Sequence, residues 1–231
     1  MIVGNGQLAQ AFKNLKYNDN VVIYASGVAN SNCTDRNAFE REKNLLVKTL
    51  IENKNKKFVY FSSCALSAKE YPLNDYYIHK KNMEKIIKEH SDNYYIFRVP
   101  QLFGKLKKHP TLINYLYNAI EEQKEMQIYK DAFRYVIDIE DVNKIVIHVI
   151  NQHEGKLTLD IANSYRYSIV EIIEIIEKLT NKKAKYKIIN KRDGYDLDLS
   201  SLYNITSQYN IDISFGKSYL HERLKQRIKT T

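Results

Sequence analysis

Two tyrosine–lysine pairs in the sequence have the spacing needed for proton transfer. Tyr76 and Lys80 are four residues apart, as are Tyr77 and Lys81, and these are the only matches to Y-x-x-x-K. On a helix this spacing places the lysine one turn from the tyrosine. A tyrosine with a pKa near 10 is a poor base at neutral pH, but a neighbouring cation stabilises its phenolate. Either pair could therefore exchange a proton with a carbonyl oxygen.

The residues around the two pairs favour Tyr76 and Lys80. Positions 76, 80, 83 and 87 are Tyr, Lys, Met and Ile, a stripe expected to face inward, whereas positions 77, 81, 84 and 88 are Tyr, Lys, Glu and Lys, expected to face solvent. We therefore predict Tyr76 and Lys80 as catalytic residues. The alternative is that Tyr76 is one ordinary half-buried tyrosine among nineteen and Lys80 a surface charge.

Ser63 is the third candidate catalytic residue. The apolar run 57–63 predicts a buried strand that ends at Ser63, thirteen residues before Tyr76. Ligands of open α/β sheets bind at the carboxyl ends of such strands, where a serine can hydrogen-bond a substrate carbonyl. Cys64, which comes next, fits an inert buried thiol.

A glycine turn near the start of the sequence predicts a nucleotide site. Gly4, Gly6 and Ala9 form a G-x-G-x-x-A pattern between a short apolar strand and a helix. The first glycine permits a sharp turn, the second lets the backbone approach a pyrophosphate, and the small third residue allows close packing of helix on strand.

The elements that must position these residues alternate between strand and helix. Strands are predicted at 21–25, 57–63 and 94–99, and helices at 37–52 and 76–90. The second half predicts a helix over 110–123, a short strand over 132–137, a helix capped by Asp138 or Asp141, and a helix over 168–179 that opens with a capping box at Ser168 and Glu171. The fold class is therefore α/β, a Rossmann-like, mostly parallel sheet flanked by helices with a small C-terminal lobe.

Composition excludes several classes of protein. The chain of 231 residues has 44% hydrophobic and 27% charged residues, a formal charge of +9 and two cysteines outside any CxxC motif. We therefore expect a cytoplasmic globular protein without a disulfide framework, a metal site or a membrane span. The positive charge favours anionic partners, but acidic residues are interspersed among the basic ones, so nucleic acid is not expected.

Five short segments, in the same order along the chain, resemble the extended branch of the short-chain dehydrogenase/reductase superfamily, which contains nucleotide-sugar epimerases, dehydratases and reductases. They are the glycine turn at 4–9, the strand ending at Ser62-Ser63, the segment Tyr76-x-x-x-Lys80-x-x-x-Glu84, Arg98 to Gly104 with Gln101 in an asparagine position, and Arg134 to Val142. Fucose-synthase members of the family carry a Ser-Ser-Cys run whose cysteine acts in epimerisation, and Ser62-Ser63-Cys64 resembles this run. Under that alignment Ser62, and not Ser63, takes the role of the catalytic serine.

The resemblance implies a bound NAD or NADP, a nucleotide-sugar substrate and a homodimer. Residues implied to bind the cofactor are Gly4, Gly6, Gln7, Leu8, Ala9, Ala25, Ser26, Tyr76 and Lys80. Those implied to bind the substrate are Cys64, Gln101 and Arg134, whose guanidinium would reach the nucleotide diphosphate. Arg134 as a surface salt-bridge partner is the alternative.

Two departures from the family pattern are informative. Almost no residues separate the glycine turn from the strand at 21–25, so the strand that normally reads the cofactor ribose is missing, and NAD cannot be distinguished from NADP. The acid pair that 4,6-dehydratases carry after the catalytic serine or threonine is replaced by Cys64 and Ala65, which disfavours dehydration.

We expect residues 1–104 with about 130–152 to form a nucleotide-binding core, and 105–129 with 153–231 to form a substrate lobe. The expected function is reduction or epimerisation of a 4-keto nucleotide sugar in surface-polysaccharide biosynthesis. The rivals are a non-catalytic relative that binds a nucleotide or sugar nucleotide, and a basic nucleic-acid binder, for which no recognition motif is found.

Overall fold

The computed structural model describes residues 1–13, 20–70, 74–106 and 111–229. The chain divides into two compact units. The first consists of Met1–Val99, Asn143–Ile161 and Asp198–Ile211, and the second of Pro100–Val142, Ala162–Leu197 and Asp212–Thr231. The domain boundaries expected from the sequence stay a prediction.

The first unit is a parallel sheet with helices packed against it. Its strands are β1 (Ile2–Val3), β2 (Val21–Tyr24), β3 (Lys57–Ser63), β4 (Tyr94–Val99) and β8 (Leu157–Asp160), in the spatial order β1-β2-β3-β4-β8. Its helices are α1 (Gln7–Phe12), α2 (Arg36–Glu52), α3 (Asp75–His90), α7 (Ser200–Gln208) and most of α5 (Ile139–Gln152). The predicted α/β class with a mostly parallel, helix-flanked sheet is confirmed.

Continuous apolar runs explain the central strands. β2 is buried along its whole length, and β3 is buried from Phe58 to Ser62. They meet apolar residues of α2 and α3 in one core cluster: Val22, Tyr24, Leu46, Leu50, Phe58, Tyr60, Met83, Ile87 and Ile96. Strands buried on both faces read as continuous apolar runs, which is why they were recognised from the sequence.

β1 lies at the edge of this sheet and pairs directly with β2, with Ile2 opposite Ile23. Only residues 13–20 connect α1 to β2. A parallel crossover takes a dozen or more residues, so this connection is too short to hold the additional strand and helix found in a complete Rossmann half.

The second unit combines smaller sheets with helices. Its strands are β5 (Gln101–Phe103), β6 (Glu125–Arg134), β7 (Val136–Asp138), β9 (Tyr167–Ser168) and β10 (Lys185–Asp193), and its helices are α4 (Leu112–Glu121), α6 (Ile169–Thr180) and α8 (Tyr219–Lys229). The capping box of Ser168 and Glu171 forms as predicted at the start of α6. The single strand predicted over 132–137 is instead the end of β6 and the start of β7.

An ionic cluster joins α8 to the residues that begin α5. Arg227 binds the Asp138 carboxylate, and Arg223 donates two hydrogen bonds of 2.7 Å to Asp141. The hydroxyl of Tyr219 donates to Asp141 at 2.5 Å. Asp138 also accepts the backbone N–H of Glu140 at 2.8 Å. Of the two residues predicted to cap α5, Asp138 and Asp141, Asp138 is therefore the cap.

Among the residues that the structure describes, no helix is both long and apolar enough to cross a bilayer.

Gly4 provides a test of the turn between β1 and α1. Its φ is +126°, and an added Cβ would stand 2.4 Å from the carbonyl oxygen of Ala25. We expect Gly4→Ala to lower the free energy of unfolding by about 1–3 kcal/mol, measured by urea denaturation. The control is Gly6→Ala, where φ is −71° and an added Cβ meets no atom within 4 Å, so the change should stay within about 0.5 kcal/mol. Equal losses would contradict this account of the turn.

Candidate functional site

The glycine turn has the local geometry that its sequence predicts. Gly6 is the N-cap residue of α1, and the space that its side chain would occupy is open. Gln7 and Leu8 form the first turn of the helix and are half-buried, whereas Ala9 is completely buried. The small residue therefore lies on the packed side of α1, and the open side lies at Gly6.

The carboxyl ends of β1, β2 and β3 are neighbours, because these strands pair in parallel. Ala25 follows β2 and donates its N–H to Val3 at 2.8 Å, and Ser26 comes next; both are half-buried. Ser63 ends β3, where its hydroxyl accepts the N–H of Ala65 at 3.4 Å. The hydroxyl of Ser62 is buried and has no hydrogen-bond partner in the described part of the chain.

The tyrosine–lysine pairs lie on α3, which packs against β3 and against the 3₁₀ turn Cys64–Ser67 that follows it. Tyr76 and Lys80 are both buried, and the Lys80 ammonium lies 5.8 Å from the centre of the Tyr76 ring. The expectation of a solvated stripe at 77, 81, 84 and 88 is wrong in part. Tyr77 and the glutamate at 84 are buried, and only the two lysines are exposed. Lys80 is therefore the buried lysine of the two candidate pairs.

Lys80 is part of a buried network centred on Glu42 of α2. The carboxylate oxygen Oε1 accepts hydrogen bonds from Lys80 Nζ at 2.9 Å and from Tyr60 OH at 3.1 Å. Oε2 accepts the N–H of Val28 at 2.8 Å and lies 3.0 Å from His79 Nε2. Lys80 Nζ also donates to Tyr60 OH at 3.2 Å.

The network sets the ionisation of its members. Burial opposes the charge of Glu42, but the hydrogen bond from His79 and the charge of Lys80 outweigh it and lower the pKa of Glu42 to about 2. Burial raises the pKa of Tyr76; the charge of Lys80 acts in the opposite direction, and the charge of Glu42 adds to the increase. Tyr76 is therefore protonated at neutral pH.

A second buried network lies one turn further along α3. Arg98 on β4 donates to both carboxylate oxygens of Glu84, at 2.9 and 2.7 Å, and to Ser67 Oγ at 2.8 Å. Ser67 in turn donates to Asp160 at 2.6 Å. The Cys64 thiol is fully buried and donates to the carbonyl oxygen of Arg98 at 3.1 Å, and burial followed by the charge of Asp160 raises the pKa of Cys64. The substrate contact of Cys64 stays a prediction, and it requires this hydrogen-bonded thiol to become accessible.

Gln101 and Arg134, the other predicted substrate contacts, belong to the second unit. Gln101 begins β5 and is half-buried. The Arg134 guanidinium forms an ion pair with Asp193 of β10 and donates to the carbonyl oxygens of Phe133 and Asp193 at 2.9 and 3.1 Å. The salt-bridge alternative for Arg134 is thus present in the structure, and its contact with a diphosphate stays a prediction.

Sequence reasoning missed Glu42. A signal was available, because Glu42 lies in the stripe that Phe39, Leu46 and Leu50 form on the inner side of α2. A charged residue in an apolar stripe indicates a buried ion pair. The identity of the partner was not available, since Lys80 follows 38 residues later on another helix.

The low pKa of Glu42 makes the acid stability of the fold testable. The folded-state pKa of about 2 lies below the ordinary value of 4.5, so the carboxylate stabilises the fold above pH 4.5 and loses this contribution as the pH falls toward 2. We expect the gap in unfolding free energy between wild type and Glu42→Gln to shrink by up to about 3 kcal/mol over that window. Urea denaturation at a series of pH values measures it. Glu40→Gln, an exposed position on the same helix, is the control and should give a flat gap.

Comparison with known proteins gives a family and a fold. A family model described as RmlD substrate binding domain matches residues 62–193. No curated protein sequence matches the chain. Among solved structures, UDP-glucuronic acid 4-epimerase from Bacillus cereus, in complex with UDP-glucuronic acid and NAD, is similar with a TM-score of 0.72 at 16% identity, covering 98% of this chain and 79% of that one.

Two further similar structures come from Bacillus anthracis str. Ames. The dTDP-4-dehydrorhamnose reductase in complex with NADP has a TM-score of 0.68 at 16% identity and covers 92% of this chain and 81% of that one. The dTDP-glucose 4,6-dehydratase in complex with NAD has a TM-score of 0.71 at 14% identity and covers 91% and 73%. These structures share the fold, and the family model covers more than half of the sequence. The chain therefore belongs to the RmlD substrate binding domain family, within the short-chain dehydrogenase/reductase superfamily that its motifs resemble.

Proposed function

We propose that this protein is an NAD(P)-dependent enzyme that reduces or epimerises a nucleotide-activated 4-keto sugar in surface-polysaccharide biosynthesis. The observation that carries the proposal is the buried pair of Tyr76 and Lys80 on α3, packed against the strand that ends at Ser63. A buried lysine beside a buried tyrosine is costly to maintain, and proton transfer is the chemistry that this arrangement suits.

Each residue has a distinct part in the proposed reaction. The Ser63 hydroxyl polarises the sugar carbonyl, and Tyr76 donates its proton to the carbonyl oxygen. Tyr76 is in the required state because burial raises its pKa and keeps it protonated at neutral pH. The Lys80 charge then stabilises the phenolate that forms. Ser62 remains the alternative to Ser63, and its unpartnered buried hydroxyl supports that alternative.

The proposed cofactor is NAD or NADP, whose reduced form would supply the hydride in a reduction. The open space at Gly6 fits the close approach of a pyrophosphate to the backbone. The Lys80 ammonium has three N–H groups, and its acceptors in the described part of the chain are Glu42 and Tyr60. The third N–H is therefore available for a ribose hydroxyl. In the part of the chain that the structure describes, β1 is an edge strand, so no second strand is found there for the adenosine end.

The proposed substrate class rests on relatives and on motifs. The similar structures include an epimerase and a reductase named for sugar nucleotides, bound to NAD and NADP respectively. Cys64 and Ala65 replace the acid pair expected of a dehydratase, so reduction or epimerisation is preferred. Gln101 and Arg134 stay the proposed contacts for the substrate.

A non-catalytic relative that binds a nucleotide or sugar nucleotide is the second candidate. The short connection between α1 and β2 favours it, because the second strand of the usual dinucleotide site has no counterpart among the described residues. The two candidates differ in whether the protein converts a nucleotide sugar into a product.

We also propose that the protein is a cytoplasmic homodimer. Leu45 and Ile51 on α2 and Ile78 on α3 expose 39%, 55% and 47% of their surface. α2 and α3 pack against each other in the first unit, and a second copy that covered these side chains would remove apolar surface from water.

Tyr76→Phe tests the enzymatic proposal. We expect it to reduce turnover of 4-keto nucleotide sugars by about 10²–10⁴-fold, because the proton donor is lost while the ring still fills its site. Consumption of NADH or NADPH measures reduction, and formation of the epimeric nucleotide sugar measures epimerisation. Tyr77→Phe is the matched control, since Tyr77 is the adjacent residue and equally buried. A damaging Tyr77→Phe with a silent Tyr76→Phe would show that the other pair is catalytic.

The shortened connection predicts weak binding of the dinucleotide. The glycine turn is the proposed site for the pyrophosphate, and the described residues contain no second strand to read the ribose, so we expect calorimetric titration to give similar, weak affinities for NADPH and NADH. A hundredfold preference, about 2.7 kcal/mol, would show that other residues replace the missing strand. Binding of a nucleotide sugar without binding of either dinucleotide would favour the non-catalytic candidate.

A further inference from the structure

Glu42 lies outside every predicted site, yet its carboxylate touches a predicted catalytic group. All four of its hydrogen-bonding positions are used, two on each oxygen, by Lys80, Tyr60, Val28 and His79. The side chain is only 2% exposed. Such complete satisfaction of a buried carboxylate fixes its position closely.

The backbone leaves room for this carboxylate at a specific glycine. Gly27 has a φ of +156°, and an added Cβ would stand 2.5 Å from Glu42 Oε1. Tyr24 of β2 also donates its hydroxyl to the Glu42 carbonyl oxygen at 3.1 Å. The His79 ring is held in place by stacking on Phe39, with 4.5 Å between ring centres. Glu42 is therefore held from β2, from β3, from α3 and from the loop after β2.

Lys80 needs this partner in order to remain charged. Its side chain is only 6% exposed, and an unpaired ammonium at such depth loses its proton or destabilises the fold. Glu42 is the carboxylate within 4.0 Å of Lys80 in the described part of the chain. Without it, the remaining contacts of the ammonium are the Tyr60 hydroxyl and the rings of Tyr60 and Tyr76.

Glu42 acts on Tyr76 in two opposite ways. The charge of Glu42 itself raises the pKa of Tyr76. The charge of Lys80, which Glu42 stabilises, lowers the same pKa by more. The other titratable groups in contact with Glu42 are His79 from α3 and Tyr60 from β3. If Glu42 lost its charge and Lys80 then became neutral, the interaction with Lys80 that lowers the pKa of Tyr76 would be lost.

We propose that Glu42 is a positioning residue, which keeps Lys80 protonated and directs its ammonium toward Tyr76. The catalytic consequence rests on the function proposed above, whereas the effect on Lys80 can be measured without turnover. The carboxylate acts through Lys80 and needs no contact with substrate or cofactor.

The first experiment is an NMR titration of the intact protein labelled with ¹³C-lysine. The Lys80 signal is identified by its loss in Lys80→Met. We expect this signal to lose its proton at a lower pH in Glu42→Gln than in wild type, because the buried cation has lost its carboxylate. In Glu42→Asp, which keeps the charge, the Lys80 signal should behave much as it does in wild type. An unchanged Lys80 titration in Glu42→Gln overturns the proposal.

The reciprocal variant covers the case in which Glu42→Gln does not fold. Lys80→Met replaces the cation with an apolar side chain, and ¹³C-glutamate labelling then follows the Glu42 carboxyl. We expect its pKa to rise by about one unit or more from the value of about 2, because the attraction of Lys80 is gone. A Glu42 pKa that does not move overturns the coupling.

Turnover separates this inference from the proposed function. With a 4-keto nucleotide sugar and NADPH, the alkaline limit of the rate profile should move to lower pH in Glu42→Gln and return toward wild type in Glu42→Asp. A purely structural role would lower the amount of active protein without moving the profile. If wild type shows no turnover, the proposed function fails, and the lysine titration still decides whether Glu42 holds Lys80 charged.

Discussion

The first unit depends on the hydrogen bonds and the ion pair that surround the buried Glu42 carboxylate, because they connect its helices to its sheet. A carboxylate is stable at this depth only when donors surround it, and those donors come from segments far apart in sequence. α2 supplies the acid, β3 and α3 supply Tyr60, His79 and Lys80, and the loop after β2 supplies Val28. The same contacts that make the charge tolerable therefore fix the two helices against the sheet at its carboxyl edge.

α3 carries two buried ion pairs with different designs. Glu84 and Arg98 form a bidentate pair, and Ser67 accepts a further N–H of the guanidinium, so this pair fits a structural role. Lys80 is the opposite case, since its ammonium has three N–H groups and its acceptors in the described part of the chain are Glu42 and Tyr60. An arginine with fixed geometry suits the first position, and a lysine with one remaining donor suits a site that receives a ligand.

The predictability of each element follows from where its stability comes from. β2, β3 and α6 were predicted because apolar runs and a capping box are local signals. β10 was not predicted, since it is polar and mostly exposed and forms through pairing with β6, about sixty residues earlier. The same limit applies to the site. The tyrosine–lysine spacing was visible on one helix, whereas the choice of Glu42 as the partner of Lys80 required the packing of α2 against α3.

The ionic cluster at α8 affects how the protein folds during synthesis. Asp138 and Asp141 are buried, and they receive their arginine partners only from residues about eighty positions later. Until α8 has left the ribosome, the two carboxylates lack their arginine partners, and the apolar residues that α8 covers stay exposed to water. The first unit likewise needs α7, which comes after most of the second unit in the chain. Neither unit can therefore complete its native contacts until its late helix has been synthesised.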